Sequence, residues 1–130
     1  MRFTPPAAQL LRDAIKDAGG VEVFAIGDVN PAGKVYDLTI HCRGTPDSVP
    51  ALLSRPRAGQ VVIHNHPSGN LQPSGADMAL ASRYGEDGVG VVIVDSPCRN
   101  DNWVVEPHRR EARTVDEAQV TDFFTRRLPS

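Results

Sequence analysis

Aromatic residues make up only 5% of this chain, one Trp, two Tyr and four Phe among 130 residues. A core of ordinary size must therefore be built from Val, Leu, Ile and Ala, which belong to a hydrophobic fraction of 40%. Cysteine is nearly absent too. Cys42 and Cys98 stand far apart with no CxxC spacing, which argues against a disulfide framework or a thiolate zinc site and for two reduced thiols in a cytosolic protein. No apolar run approaches the roughly 20 residues of a membrane span. The start, Met1-Arg2-Phe3-Thr4-Pro5-Pro6, lacks the apolar centre of a signal peptide. These features together read as a cytoplasmic protein. No broad basic excess announces nucleic acid or membrane, since the net charge is -2. Residues 108–130 carry five Arg and four acids, leaving nine basic and twelve acidic residues in 1–107. Neither repeats nor low-complexity tracts occur.

What is present reads as one domain with alternating helices and strands. Thr4 is a candidate N-cap with Pro5 as first helical residue. Ala7, Leu10, Leu11, Ala14, Ile15 and Ala18 follow as one apolar stripe, ended by Gly19-Gly20. Val21 to Gly27 reads as a strand, Asn30-Pro31-Ala32-Gly33 as a turn, and Lys34 to Arg43 as the returning strand. Cys42 falls in phase with Tyr36, Leu38 and Ile40, which predicts a buried thiol; His41 shares the Val35, Asp37 and Thr39 phase, predicting a solvated face. Ser48 to about Ser54 is a candidate short helix, stopped by Pro56. Gln60 to His64 and Val89 to Val94 are continuous apolar runs, as expected of central strands covered on both sides. Between them Ser74 to about Tyr84 reads as a helix broken by Gly85 and Gly88. Trp103-Val104-Val105 is a last short strand, and Val115 to Arg127 a weak helix in a charged tail. The order α-β-β-α-β-α-β-β-α places the chain in the α/β class, a mixed α+β fold with a sheet flanked by helices. The expected division is a domain over 1–107 and a charged helical tail or linker over 108–130.

The residues that carry chemistry gather around the first of those apolar runs. His64 and His66 lie at i and i+2 as a strand ends, so both imidazoles point to one side. Ser74-Gly75-Ala76-Asp77 follows across a turn-rich loop. Ser-x-x-Asp is also close to a capping box, a purely structural device. On the helix, however, Asp77 lines up with Leu80, Ala81 and Tyr84, the face that docks on the sheet. A carboxylate there needs a cation or several donors to offset its desolvation. Two His and one Asp are the protein ligands of a catalytic metal site that keeps a fourth position for water. Upstream, Glu22 shares its strand face with Phe24 and Ile26. Partial burial would raise its pKa and suit it to moving a proton. His41, His108, Asp28, Asp37 and Asp95 read as surface, turn or strand-end residues, Asp95 being the one that ends a buried strand as His64 does. A nucleobase-deaminase reading fails, because His66 stands where H-x-E needs Glu and Pro97-Cys98 has no second Cys in the required place.

Glu22, His64-x-His66-Pro67 and, seven residues on, Ser74-x-x-Asp77 together resemble the JAMM signature of JAB/MPN-domain metalloproteases. The run His64-Asn65-His66-Pro67-Ser68-Gly69 with Pro73-Ser74 most resembles the bacterial RadC-like branch, as does Glu22-Val23-Phe24; the resemblance covers residues 21–95. It implies a JAB/MPN-like mixed sheet between helices and zinc held by His64, His66 and Asp77. It further implies water as the fourth ligand, Glu22 as proton carrier, the Ser74 hydroxyl at the oxyanion, and hydrolysis of a peptide or isopeptide bond, for example in a ubiquitin-like protein. The chain departs from that branch in two places. Only one helix precedes Glu22, where such proteins typically carry a helix-hairpin-helix region, and Asp95-Ser96 replaces a usual Asp-His. The ending, Asp122-Phe123-Phe124 to Pro129-Ser130, resembles the lead-in to XPD/DinG-class helicases. An alternative role is therefore a recruiting or regulatory module of a larger DNA-repair protein or of a fused or associated helicase.

Overall fold

The computed structural model describes residues 1–19, 21–44 and 55–108. The expected helices over 48–54 and 115–127, and the division at 107/108, involve residues outside that set. Helix α1 spans Pro5–Ala18, capped by the Thr4 hydroxyl on the Ala7 N–H and closed by Gly19 in the left-handed region at φ 66°. Strands β1 (Glu22–Val29) and β2 (Val35–Gly44) form a hairpin, β3 spans Gln60–Asn65, α2 Gly75–Glu86, β4 Gly90–Val94 and β5 Asp101–Val105. They build one five-stranded sheet in the order β2-β1-β3-β4-β5. Among the described strands only β3 and β4 pair in parallel. They are also the pair joined by a helical crossover, since parallel neighbours cannot be linked by a tight hairpin. The expected mixed sheet flanked by helices is what forms.

Strand periodicity assigns the two faces. Val23 and Ala25 of β1, Val61 and Ile63 of β3 and Val92 and Val94 of β4 pack with Leu11, Ala14 and Ile15 of α1. Phe24 and Val62, of opposite parity, pack with Leu80 and Tyr84 of α2. Both central strands are covered on each side, which explains their uninterrupted apolar sequence. Gly27 lies on the α1 face, where an added Cβ would come 2.8 Å from Ile63 Cδ1 and 3.0 Å from Val35 Cγ1.

Three local expectations need correction. On β2 the parity rule breaks twice, because Phe24/Ala25 face Cys42/Ile40 and Asp28/Val29 face Asp37/Val35. His41 and Tyr36 are thus the extra residues of two bulges, and each bulge reverses the face on which later side chains lie. Leu38 and Ile40 pack with α1 while Cys42, half-buried, packs with Phe24 on the other face. Tyr36 is 52% exposed and Val35 fully buried, the reverse of what an unbroken alternation predicts. The second correction concerns α2. It runs through Gly85 to Glu86, and Gly85 sits where the helix passes β5, an added Cβ coming 3.3 Å from Val105. Third, Leu10 of the α1 stripe is 44% exposed, outside the core that Leu11 and Ile15 enter.

Candidate metal centre

The register of the sheet places His64 first. Cys42, Phe24, His64, Ile93 and Asn102 are successive partners across all five strands. They form one row on the α2 face of the sheet. The His64 ring, fully buried, stacks on Phe24 with centroids 5.0 Å apart and planes inclined by 25°. Asn65 points to the opposite face, as alternation requires. Its side chain is functional in another sense. Pairing between β1 and β3 stops at Phe24 and His64, and Asn65 Oδ1 accepts the next N–H, that of Val23, at 2.9 Å. The strands can then diverge without orphaning a backbone donor.

Helix α2 brings the carboxylate. Asp77 is its third residue, completely buried, and the capping box and the metal-ligand geometry exist together. Asp77 Oδ2 accepts from the Ser74 N–H at 2.7 Å while the Asp77 N–H donates to Ser74 Oγ at 3.2 Å. The same Oδ2 lies 2.7 Å from His66 Nε2. Oδ1 lies 2.9 Å from His64 Nε2, without the alignment of a hydrogen bond. Burial alone would raise the Asp77 carboxyl, but contact with the His64 ring and the Ser74 N–H outweigh it and hold the group well below the usual carboxylate range.

His66 lies one residue beyond β3 and is oriented by the loop that follows. Its Nδ1 is 2.9 Å from the Asn70 carbonyl oxygen. A carbonyl and a carboxylate both only accept, so Nδ1 carries a proton toward Asn70, while Nε2, turned to Asp77, presents a proton or binds a cation there. An Nδ1–H tied to a carbonyl, with Nε2 presented inward, is the arrangement found at metal-ligating histidines.

Ligand atoms of His64, His66 and Asp77 all lie within 4.8 Å of one another. Among the described residues, four buried side-chain atoms have no hydrogen-bond partner: Glu22 Oε2, both ring nitrogens of His64, and Asp77 Oδ1. Each such atom costs about 1–3 kcal/mol when left unsatisfied. Their gathering at one point, among two imidazoles and a carboxylate, fits a divalent cation, whose bonds would satisfy Nε2 and Oδ1. Glu22, 7% exposed at the start of β1, reaches within 3.4 Å of His64 Nδ1. Burial pushes its carboxyl above the ordinary value, against the opposing pull of His64 and His66. The Ser74 hydroxyl accepts from the helix and keeps its own proton free to donate.

The structure thus brings together all five residues singled out in the sequence: Glu22, His64, His66, Ser74 and Asp77. It sets the others apart. Asp95 accepts from the N–H groups of Arg99 and Asn100 and from the Asn100 amide, closing its own loop. The His108 N–H donates to Gly88. Cys98, held at φ 55°, has a thiol that burial pushes up to about 11, which makes it inert. Sequence reasoning passed over Asn65 and Asn102. The signal for Asn65 was available, since a polar residue between two inward histidines must enter the opposite, apolar face.

Among known proteins, a family model described as the RadC-like JAB domain matches residues 5–95. A UPF0758 protein of Shewanella baltica is 37% identical over 70 residues, 48% of this chain and 31% of the relative. A UPF0758 protein of Shewanella loihica is 33% identical over 94 residues, 65% of this chain and 42% of the relative. The chain spans less than half the length of these curated relatives.

Proposed function

The chain belongs to the RadC-like JAB domain family, and from that premise we propose that it is a zinc-dependent peptidase or isopeptidase whose metal is held by His64, His66 and Asp77. The observation that carries this reading is the convergence of three ligand atoms within 4.8 Å, on a buried carboxylate that the helix cap alone does not satisfy. Three protein ligands leave a coordination position open, the mark of a catalytic rather than structural site. A zinc ion held there supplies Lewis acidity, lowering the pKa of water and polarising a carbonyl.

The chain's own residues divide the remaining work. Glu22, buried beside His64, accepts a proton from the attacking water and returns it to the leaving amine. Ser74 donates its free hydroxyl proton to the developing oxyanion. Phe24 and Asn70 fix the two imidazole planes. The substrate of this reading is a peptide or a ubiquitin-like protein. A purely recruiting module of a larger DNA-repair or helicase protein would have no use for a desolvated Glu22, and its burial favours hydrolysis.

The test is metal content followed by turnover. Purified protein carries one zinc per chain, His64→Ala carries almost none, and Glu22→Gln keeps the zinc while cleavage of a peptide or isopeptide substrate falls by roughly 100-fold or more. Wild-type protein without stoichiometric zinc, or Glu22→Gln with undiminished cleavage, refutes the proposal.

A further inference from the structure

His64 is held by the sheet, but His66 is not. It follows the last residue of β3, and its ring is held between the Asp77 carboxylate at Nε2 and the Asn70 carbonyl at Nδ1. That carbonyl belongs to the segment from His66 to Pro73. Gly69 N–H donates to the His66 carbonyl, Asn70 N–H to Ser68 Oγ, and Gln72 N–H to Asn70 Oδ1. These bonds give the loop a shape without fixing where it lies relative to the sheet.

The link to the sheet comes from the far edge. Asn102 of β5 pairs with Ile93 of β4, which pairs with His64. It therefore stands at the end of the row that contains the first histidine, on the same face. Its Nδ2 donates to the Leu71 carbonyl at 3.0 Å. Among the described residues this is the one side-chain hydrogen bond from outside the loop to the backbone between His66 and Pro73.

We propose that Asn102 is a positioning residue for the metal centre: by holding Leu71 it places the Asn70 carbonyl, which sets the tautomer and plane of His66. The proposal rests on the metal reading above. It assigns β5 a part in the site although none of its side chains touches the ligand group. Outer hydrogen-bond partners of ligating histidines typically change metal affinity by about 10–100-fold. Asn102 acts one link further out, so the lower end is expected.

The experiment compares wild type, Asn102→Leu (nearly the same shape, no donor) and Asn102→Gln (a donor on a longer arm). Zinc affinity is measured by competition with a chelator, melting temperature without metal, and the His66 protonation pattern in zinc-loaded protein by nitrogen NMR. Expected are about tenfold weaker zinc binding in Asn102→Leu, loss of the single Nδ1-protonated state of His66, and partial recovery of both in Asn102→Gln, with melting temperatures close to wild type. Unchanged zinc affinity and tautomer in Asn102→Leu overturn the proposal and leave the metal site standing. So does an equal loss in both variants accompanied by a large fall in melting temperature, which marks a structural role. A wild-type protein that binds no zinc overturns the metal reading, and the role of Asn102 with it.

Discussion

Asp77 performs two tasks with two oxygens, and the energetics of the centre follow from that division. Oδ2 caps α2 through Ser74 and touches His66, whereas Oδ1 faces His64 without a hydrogen bond. Replacing Asp77 therefore disturbs a helix end as well as a proposed ligand, and His64→Ala is the cleaner probe of the proposed metal. Glu22 offers a pH-dependent signature. Without metal, burial disfavours its ionised form, so its carboxyl titrates above the ordinary 4.5. A cation bound beside it favours the ionised form and brings the midpoint down. Carboxyl NMR against pH, with Glu22→Gln for assignment, should show a raised midpoint that falls when zinc is added. A midpoint that ignores zinc would place the metal elsewhere.

At the scale of elements, the cap of α2 and the close approaches of the sheet make separable predictions. Ser74→Ala removes the cap oxygen and should cost about 1 kcal/mol in urea unfolding. Ser74→Thr keeps both cap and hydroxyl and should restore stability and cleavage together; if Ser74→Ala keeps full turnover, the hydroxyl has no part in the chemistry. Gly27 and Gly90 differ in what surrounds them. A Cβ at Gly27 meets side-chain methyls of Ile63, Val35 and Val61, whereas one at Gly90 also meets the Pro107 backbone nitrogen at 2.8 Å. Gly27→Ala should cost about 1–3 kcal/mol, and Gly90→Ala more, because backbone cannot rotate away. Equal melting temperatures for the two variants would contradict this.

These elements also show what a sequence can convey. α1 was legible from Thr4 to Gly19 because caps and a 3.6-residue stripe are local features. The Asp77 face was legible for the same reason. β2 was not: a bulge is set by the partner strand, so nothing in residues 34–43 alone shows that Tyr36 and His41 are extra. Gly85 looked like a helix stop, and only the nearness of Val105 explains its place inside α2.

For the whole molecule, a cation bound to the folded state and not to the unfolded chain couples metal to stability. Zinc at 100 times its dissociation constant should add about 2.7 kcal/mol, read as a rise in melting temperature that a chelator reverses. His64→Ala should abolish that rise, and a rise that survives the substitution would locate zinc outside this centre. Among the described residues no helix is long and apolar enough to cross a membrane. The sequence by itself determined the chemistry available here: two histidines two residues apart where a strand ends, a carboxylate on the sheet-facing side of a helix, and an acid on an apolar strand. All of that follows from periods of 2 and 3.6 along short stretches. The tertiary structure alone decided that Glu22 and His64, separated by about forty residues, lie 3.4 Å apart, and that Asn102 reaches the histidine loop. Strand register fixes both, and register is a relation between distant segments that no local pattern encodes.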